Sequence, residues 1–227
     1  MIIDEMNKSI SRMIALNNKS LSSDEINKKN ADNKLFKDAV YILYVNTKKL
    51  EESKKELNFK LQSRETISKL VNIVDELNEV IASGEVDSEL VKRVYKRSND
   101  ITQDLKNEWD IYYKRKETKA NGELEVISGL IDDEIEIRKI HEQIYKAKDW
   151  GELMILENGV TRLQLFTNAM KKIEKVRANL ELSPNIELFL KAVSNNMADV
   201  DSLSADVLSW IKDNKLSDKF AIEFKRK

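Results

Sequence analysis

The sequence predicts an all-α protein, and two features carry that prediction. The 227 residues include only five glycines and one proline, so few residues favour tight turns or helix ends. Apolar residues also recur at alternating steps of three and four, which is the spacing of a buried helical stripe. We therefore predict long helices with short connections, arranged as an elongated antiparallel helical bundle or a coiled-coil stalk.

Three regions are predicted along the chain. Residues 1–33 should form an N-terminal amphipathic helix followed by a polar linker, because Asn, Ser and Lys crowd residues 17–33. Residues 34–216 carry the apolar repeat and should form the helical bundle domain. Residues 217–227 should form a short C-terminal tail that ends in three basic residues, 225–227.

The first helix should place its larger apolar side chains on one face. These residues are Ile3, Met6, Ile10 and either Met13 or Ile14. The next helix is predicted from Phe36 to Ser83, with a phase shift of its apolar stripe at Arg64. One unbroken helix of that length would be about 70 Å long, too long for a compact globule of this size, unless a kink near Arg64 shortens it. Gly84 is suited to end the helix.

Two helices are expected in the middle of the chain. The first should begin with Asp87 or Ser88 as its N-cap and end at the turn signal of residues 120–122. The second should then cover residues 123 to about 148. Because these connections are short, successive helices are expected to be antiparallel neighbours.

The region after Asp149 allows two interpretations. Asp149 with Glu152 three positions later is typical of a helix N-cap, and the apolar stripe continues over residues 153–170. Asn158-Gly159 between apolar runs is instead the strongest short signal of a β-hairpin. We favour the helix, since the stripe passes the pair without a phase break and an isolated hairpin is only marginally stable.

The last helix should begin at Ser183-Pro184, with serine as N-cap and proline at the first helical position. It is predicted to continue as one helix to residue 211, and its apolar stripe is the most regular in the chain. The stripe consists of Ile186, Leu190, Val193, Met197, Val200, Ser204, Val207 and Ile211.

The sequence lacks the residue types that several kinds of catalytic site require. The chain has no cysteine, which excludes disulfides, thiolate nucleophiles and cysteine-ligated metals. His141 is the only histidine, whereas a di-iron helical bundle needs two Glu-x-x-His motifs. Acidic residues within 75–79 and 132–136 are expected to face solvent, and no phosphate-binding glycine loop is present. We predict no catalytic residue, metal, cofactor or small-molecule substrate.

The candidate partner-binding site is a cluster of aromatic and basic residues. It consists of Trp109, Tyr112, Tyr113, Lys114 and Arg115. Aromatic residues and arginine are enriched among the residues that dominate binding energy at protein interfaces. Two alternatives stay open: the rings could be buried in the bundle, or rings and cations together could bind single-stranded nucleic acid.

The predicted function is that of a non-enzymatic, cytoplasmic structural or interaction protein. A net charge of -1 gives no bulk attraction to nucleic acid or lipid, and the N-terminus lacks the pattern of a signal peptide. We expect helix faces that bind a partner protein or a second copy in a homo-oligomer, and no membrane contact. The alternatives are an adaptor or regulatory subunit of a nucleic-acid-processing or nucleotide-driven complex and, third, a Mg²⁺-dependent all-α phosphohydrolase.

Overall fold

The computed structural model describes residues 2–17, 26–83, 87–128, 130, 134–195 and 197–222. Within these ranges the chain is helical except for one short hairpin and the connecting segments, so the all-α prediction is confirmed. The α-helices are α1 Ile2–Asn17, α2 Ile26–Leu57, α3 Arg64–Ser83, α4 Ser88–Ser128, α5 Glu134–Lys146, α6 Arg162–Asn179, α7 Pro184–Ser194 and α8 Ala205–Asp213. The strands are β1 Leu156–Glu157 and β2 Val160–Thr161, and 3₁₀ turns cover Trp150–Glu152, Val200–Ser202 and Ser217–Lys219.

The chain divides into two compact units. The first contains Met1–Tyr112 and Asp149–Ile155, and the second contains Tyr113–Lys148 and Leu156–Lys227. The boundary between Tyr112 and Tyr113 lies within α4. Each unit has its own buried apolar residues, so each is described separately below.

Helix α1 has the single apolar face that its sequence predicts. Met6, Ile10 and Met13 are buried, while the side chain of Ile3 lies outside the described residues. The helix packs against both α2 and α3. Ser9, on the same face, donates a 2.7 Å hydrogen bond to Asn78 of α3.

Helix α2 differs from the prediction at both ends. It begins at Ile26, inside the stretch expected to be a polar linker, of which residues 18–25 lie outside the described residues. It ends at Leu57, so the single helix predicted over residues 36–83 is wrong. Asn58 follows with a φ of 53°, and its amide donates to Lys54 O at 3.0 Å. Asparagine here takes the left-handed conformation that closes a helix.

The predicted end of α3 and the predicted start of α4 are confirmed. Helix α3 ends at Ser83, and α4 begins at Ser88 with Asp87 Oδ1 accepting from the amide of Leu90 at 2.7 Å. Gly84 lies outside the described residues. Lys69 pairs with Asp104. Glu76 pairs with Arg97, so α3 and the first part of α4 are antiparallel neighbours.

Helix α4 continues through residues 120–122, where the sequence predicts a turn and a new helix. Ala120, Leu124 and Ile127 are all buried, so the apolar face continues across the Ala-Asn-Gly signal. Burial of a continuous helix face outweighs the cost of about 1 kcal/mol for a glycine such as Gly122 in a helix. The prediction of a separate helix starting at residue 123 is therefore wrong.

The Asn158-Gly159 pair forms a hairpin turn, so the helix favoured for this segment is wrong. Both residues have positive φ angles, 52° and 81°, as a type I′ turn requires. Strand residue Leu156 pairs with Thr161, and Glu157 pairs with Val160. The predicted N-cap at Asp149 is present, but it begins only a 3₁₀ turn.

Ion pairs and a helix cap hold this short hairpin in the second unit. Glu157 lies 2.5 Å from Lys146 Nζ and 3.0 Å from Arg162 Nε. Thr161 and Gln164 form a reciprocal capping box at the start of α6. Lys172 of α6 pairs with Glu136 near the start of α5, and the end of α5 meets the start of α6 at Glu157, so α5 and α6 are antiparallel.

The start of α7 at Ser183-Pro184 is confirmed, but the long helix predicted beyond it is broken. Helix α7 ends at Ser194, and α8 begins at Ala205 with Ser204 as its N-cap. Part of the predicted apolar stripe therefore lies in a connection instead of a helix. In the tail, the Phe220 ring lies 5.4 Å from Phe189, and the basic residues 225–227 lie outside the described residues.

Candidate interaction sites

The structure separates the five residues predicted to bind a partner. Trp109 and Tyr113 are 0% and 1% exposed, Tyr112 is half-buried, and Lys114 and Arg115 are exposed. Trp109 and Tyr112 belong to the first unit and Tyr113 to the second. Because two of the three rings are interior, these residues do not form one exposed surface of rings and cations, and the expectation is corrected for Trp109 and Tyr113.

Tyr113 is a core residue of the second unit. Its ring lies 5.8 Å from that of Phe166. Its hydroxyl lies 2.9 Å from Glu117 Oε1 and 3.2 Å from Ile144 O, and can donate to either. Burial and, after it, the hydrogen bond to the Glu117 carboxylate raise the pKa of the Tyr113 phenol above its ordinary value, which further favours the neutral form.

Trp109 lies at the centre of an aromatic cluster in the first unit. Its ring centroid is 5.5 Å from that of Phe59, 5.5 Å from that of Tyr112 and 5.8 Å from that of Trp150. The ring of Phe59 meets Trp109 edge to face, an arrangement that aromatic quadrupoles favour. We call these four residues the aromatic cluster.

Helix α4 uses the same region to organise the turn between α2 and α3. The Tyr112 hydroxyl donates to Leu57 O, the last carbonyl of α2, at 2.8 Å. The Glu108 carboxylate accepts from the amides of Gln62 at 2.6 Å and Ser63 at 3.0 Å, just before α3 begins. A carboxylate at this position satisfies free amides and complements the positive end of the helix dipole.

A buried polar stripe on α2 lies beside the aromatic cluster. Asn46, Lys49 and Ser53 occur at helical spacing and are buried. Asn46 accepts from Trp150 Nε1 at 2.9 Å and donates to Thr102 at 2.7 Å. Our sequence interpretation missed this stripe, although polar residues at steps of three and four on a long helix were a visible signal.

Lys49 is the most unusual titratable group of this stripe. Its Nζ donates to Gly151 O at 2.9 Å and lies 5.9 Å from the centre of the Trp150 ring. Desolvation by burial lowers the pKa of Lys49, while the nearby Asp149 carboxylate opposes that shift. Such an amine can act as a base or nucleophile, but here its nitrogen is bound to a backbone carbonyl.

The stability of Lys49→Met relative to wild type is expected to depend on pH. The folded-state pKa of Lys49 lies below the unfolded value of 10.5, so burial of the ammonium opposes folding at neutral pH. That penalty is lost as pH rises through the folded-state pKa towards 10.5. Urea unfolding between pH 7 and 10.5 should therefore show wild type gaining stability relative to the methionine variant. A constant difference across this range would contradict the assignment.

The second unit contains an open cleft of about 280 Å³ beside α4, α6 and α7. Arg177 reaches across it, donating to Glu123 at 2.6 Å and to Glu187. The second carboxylate oxygen of Glu123 is buried and has no hydrogen-bond partner. Lys119 lies 3.6 Å from Glu123, so the cleft is dominated by internally paired charges.

Residues 188–222 of the second unit, which include α7, α8 and the segments beside them, expose several large apolar side chains. These are Leu188, Met197, Val200, Leu208 and Ile222. Met197 and Val200 were predicted to be in the buried stripe, but they lie between α7 and α8 and are 73% and 68% exposed. The break in the predicted helix therefore brings apolar residues to the surface.

Among the described residues, no group of three acidic or histidine side chains is arranged to hold a metal ion. Asp75 and Glu79 are exposed, and Glu76 pairs with Arg93 and Arg97. His141 is exposed on α5. Residues 132 and 133, part of the other acidic run, lie outside the described residues.

No family model matches the chain, and neither a curated protein nor a solved structure matches it. Over the part of the chain that the structure describes, the helices are too short or too polar to cross a membrane. The role of each candidate site is therefore inferred from the burial, contacts and charges of its own residues.

Proposed function

We propose that this is a non-enzymatic, cytoplasmic interaction protein that binds a partner protein through the exposed apolar residues of its C-terminal helices. The proposal keeps the elongated helical scaffold predicted from the sequence as the frame that presents this surface. It assigns the aromatic cluster a structural role in the first unit. Binding is placed in the second unit.

The exposure of Met197, Val200 and Leu208 is the observation that carries the proposal. They are 73%, 68% and 44% exposed, and all lie between residues 197 and 208. Each exposed apolar side chain gains free energy when a partner covers it, and three of them close together in sequence offer such a partner several anchors. Each 100 Å² of apolar surface removed from water contributes about 2.5 kcal/mol.

The pairing of the charged groups gives further support to a non-enzymatic role. Lys49 donates to a backbone carbonyl, and Arg177 is bound to two carboxylates. Glu76 is bound to two arginines. Side chains engaged in this way stabilise helix packing, and none is left as an obvious acid, base or nucleophile.

We expect the double substitution Val200→Ser and Leu208→Ser to abolish binding without unfolding the protein. Both side chains are exposed, so removing them costs little folding stability. Tagged wild-type and variant chains would be compared for partners retained in cells of the source organism. A specific partner should fall at least about tenfold in the variant, the scale expected for truncated interface anchors.

The matched control is Ile135→Ser, which removes an exposed apolar side chain from α5. Its partners should equal those of wild type. Circular dichroism should be unchanged for all three proteins. Identical partners for wild type and the double variant would contradict the proposal. Sedimentation of the same proteins would show whether the partner is a second copy.

A further inference from the structure

The cleft of the second unit is formed where three helices meet. Helix α4 lines it with Lys119 and Gly122, α6 with Arg177, and α7 with Lys191. These residues are far apart in sequence, and the packing of the helices brings them around one space of about 280 Å³. We call this space the three-helix cleft.

Gly122 keeps part of the three-helix cleft open. A Cβ atom at this position would have no contact within 4 Å outside the adjoining backbone. The residue lies inside α4, where glycine is less favourable than any residue except proline. Packing within the protein therefore gives no reason for a glycine here, and the effect of the missing side chain is to leave room in the cleft.

Each of the three helices places one cation at the cleft. Arg177 is held by the carboxylates of Glu123 and Glu187. Lys119 is 62% exposed, and its Nζ lies 3.6 Å from Glu123, beyond the usual hydrogen-bond distance. Lys191 is exposed and forms no ion pair with another described residue. Two ammonium groups are therefore available to a ligand in the cleft.

The charges that line the cleft favour an anion. Three cations and two carboxylates give the lining a net charge of +1, whereas the whole chain carries -1. Both carboxylates are bound to the Arg177 guanidinium, which compensates their charge, so an approaching anion meets mainly the two lysines. A phosphate monoester carries a charge of about -1.5 to -2 at neutral pH and can pair with both ammonium groups, whereas a carboxylate carries one charge.

The volume of the cleft is suited to a small ligand. Binding sites for small molecules usually measure about 300–1,000 Å³, so this cleft lies near the lower end of that range. The side chain of Val126 gives the lining an apolar part next to the space at Gly122. A phosphate joined to one small apolar group would match this combination of cations, apolar surface and volume.

We propose that the three-helix cleft binds a small molecule that carries a phosphate monoester. The phosphate pairs with the ammonium groups of Lys119 and Lys191, while the rest of the ligand occupies the space at Gly122 and contacts Val126. Charge-assisted hydrogen bonds of this kind are stronger than those between neutral groups. The cleft does not include the exposed apolar residues that bind the partner protein, so this inference does not depend on the proposed function.

The probe for the test is phenyl phosphate, which joins a phosphate monoester to one small ring. Binding to the full chain would be measured by isothermal titration calorimetry in a buffer free of phosphate. We expect saturable binding of one molecule per chain, which weakens at high salt because the exposed lysines are screened. Benzoate has the same ring but a single negative charge, and it should bind at least about fivefold more weakly.

Filling the cleft should weaken binding without unfolding the protein. Gly122→Leu places a side chain in the open space, and leucine favours a helix more than glycine does. The affinity for phenyl phosphate should fall at least about tenfold, while the thermal unfolding midpoint stays equal or rises. The matched control is Asn121→Leu, which adds the same side chain at an exposed position that does not line the cleft. The control should bind the probe as wild type does.

Removing the two ammonium groups should also weaken binding at least about tenfold. The variant is Lys119→Gln with Lys191→Gln, and its affinity should depend less on salt than that of wild type. The control is Lys171→Gln with Lys175→Gln, which removes two exposed lysines of α6 that do not line the cleft. Both double variants have the same net charge, so a difference between them assigns the effect to the cleft.

Four outcomes would overturn the inference. The first is no saturable binding at about 5 mM phenyl phosphate. The second is equal weakening by the two lysine variants, and the third is unchanged binding by Gly122→Leu. Equal affinity for benzoate would overturn the assignment of a phosphate ester.

The proposed function is tested separately by the double substitution Val200→Ser and Leu208→Ser. Neither residue lines the three-helix cleft, so this variant should bind phenyl phosphate as wild type does. Failure of the partner-binding proposal would therefore leave the cleft inference standing, and failure of the cleft inference would leave the partner-binding proposal standing.

Discussion

Trp109→Ala is expected to lower the free energy of unfolding by about 3–5 kcal/mol, the cost typical of truncating a buried aromatic residue. Trp109 is fully buried and lies within 6 Å of the Phe59, Tyr112 and Trp150 rings. Removing the indole opens a cavity between residues from three parts of the chain. Urea unfolding followed by circular dichroism at 222 nm would measure the change.

Two substitutions on the same helix provide controls. Trp109→Phe keeps a ring in the aromatic cluster and should lose clearly less stability than alanine. Ile111→Ala removes a side chain that is 63% exposed and should change stability by about 0.5 kcal/mol or less. Equal effects of alanine at positions 109 and 111 would show that the aromatic cluster does not support the first unit.

Local capping signals predicted several helix ends correctly. Asp87 caps α4, and Ser183 caps α7 with Pro184 at the first helical position. These signals work because the cap depends on one side chain and amides two or three residues away. The amphipathic pattern of α1 also held, since it describes the face that Met6 and Ile10 bury against its neighbours.

The apolar stripe was a poor guide to where a helix breaks. Spacing of three and four persists when one helix ends and another begins in the same phase, as happens between α7 and α8. Asn58 ends α2 by adopting a left-handed conformation that asparagine permits but does not require. At Gly122 the opposite error occurs: the sequence signals a turn, but the burial of the apolar residues around it keeps this segment helical.

The hairpin was misjudged because its support comes from residues outside its two strands. Two paired residues on each strand are weak by themselves. Glu157 is bound by Lys146 from α5 and by Arg162 from α6, and neither pairing can be derived from the strand sequence. The Asn158-Gly159 signal was correct since only such residues readily supply two positive φ angles.

The candidate sites were predictable only in part. The residues around Trp109 stood out in the sequence, but their burial depends on Phe59 and Trp150, which the fold brings to α4. The exposure of Met197 and Val200 was not predictable in the same way, because the sequence predicts one helix over this region, in which both side chains would be buried.

Arg177→Met is expected to destabilise the second unit by about 2–3 kcal/mol. Removing one member of a fully buried ion pair typically costs 3–5 kcal/mol, and Arg177 is 30% exposed, so the cost is reduced by solvent. The Glu123 side chain is only 13% exposed, and its Oε2 already lacks a hydrogen-bond partner. Without the guanidinium, Glu123 keeps a cation at 3.6 Å, the ammonium of Lys119, which is largely exposed.

A double-mutant cycle tests whether the loss comes from the Glu123 carboxylate. Glu123→Gln removes the charge of one of the two carboxylates that Arg177→Met deprives of the guanidinium, so the double variant should be more stable than the sum of the single losses predicts, by about 1–2 kcal/mol. Lys172→Met, which breaks an exposed ion pair on the same helix, should cost less than about 1 kcal/mol. Additive losses at positions 123 and 177 in urea unfolding would show that these two side chains are not coupled and that the loss comes from other contacts of Arg177, such as its pair with Glu187.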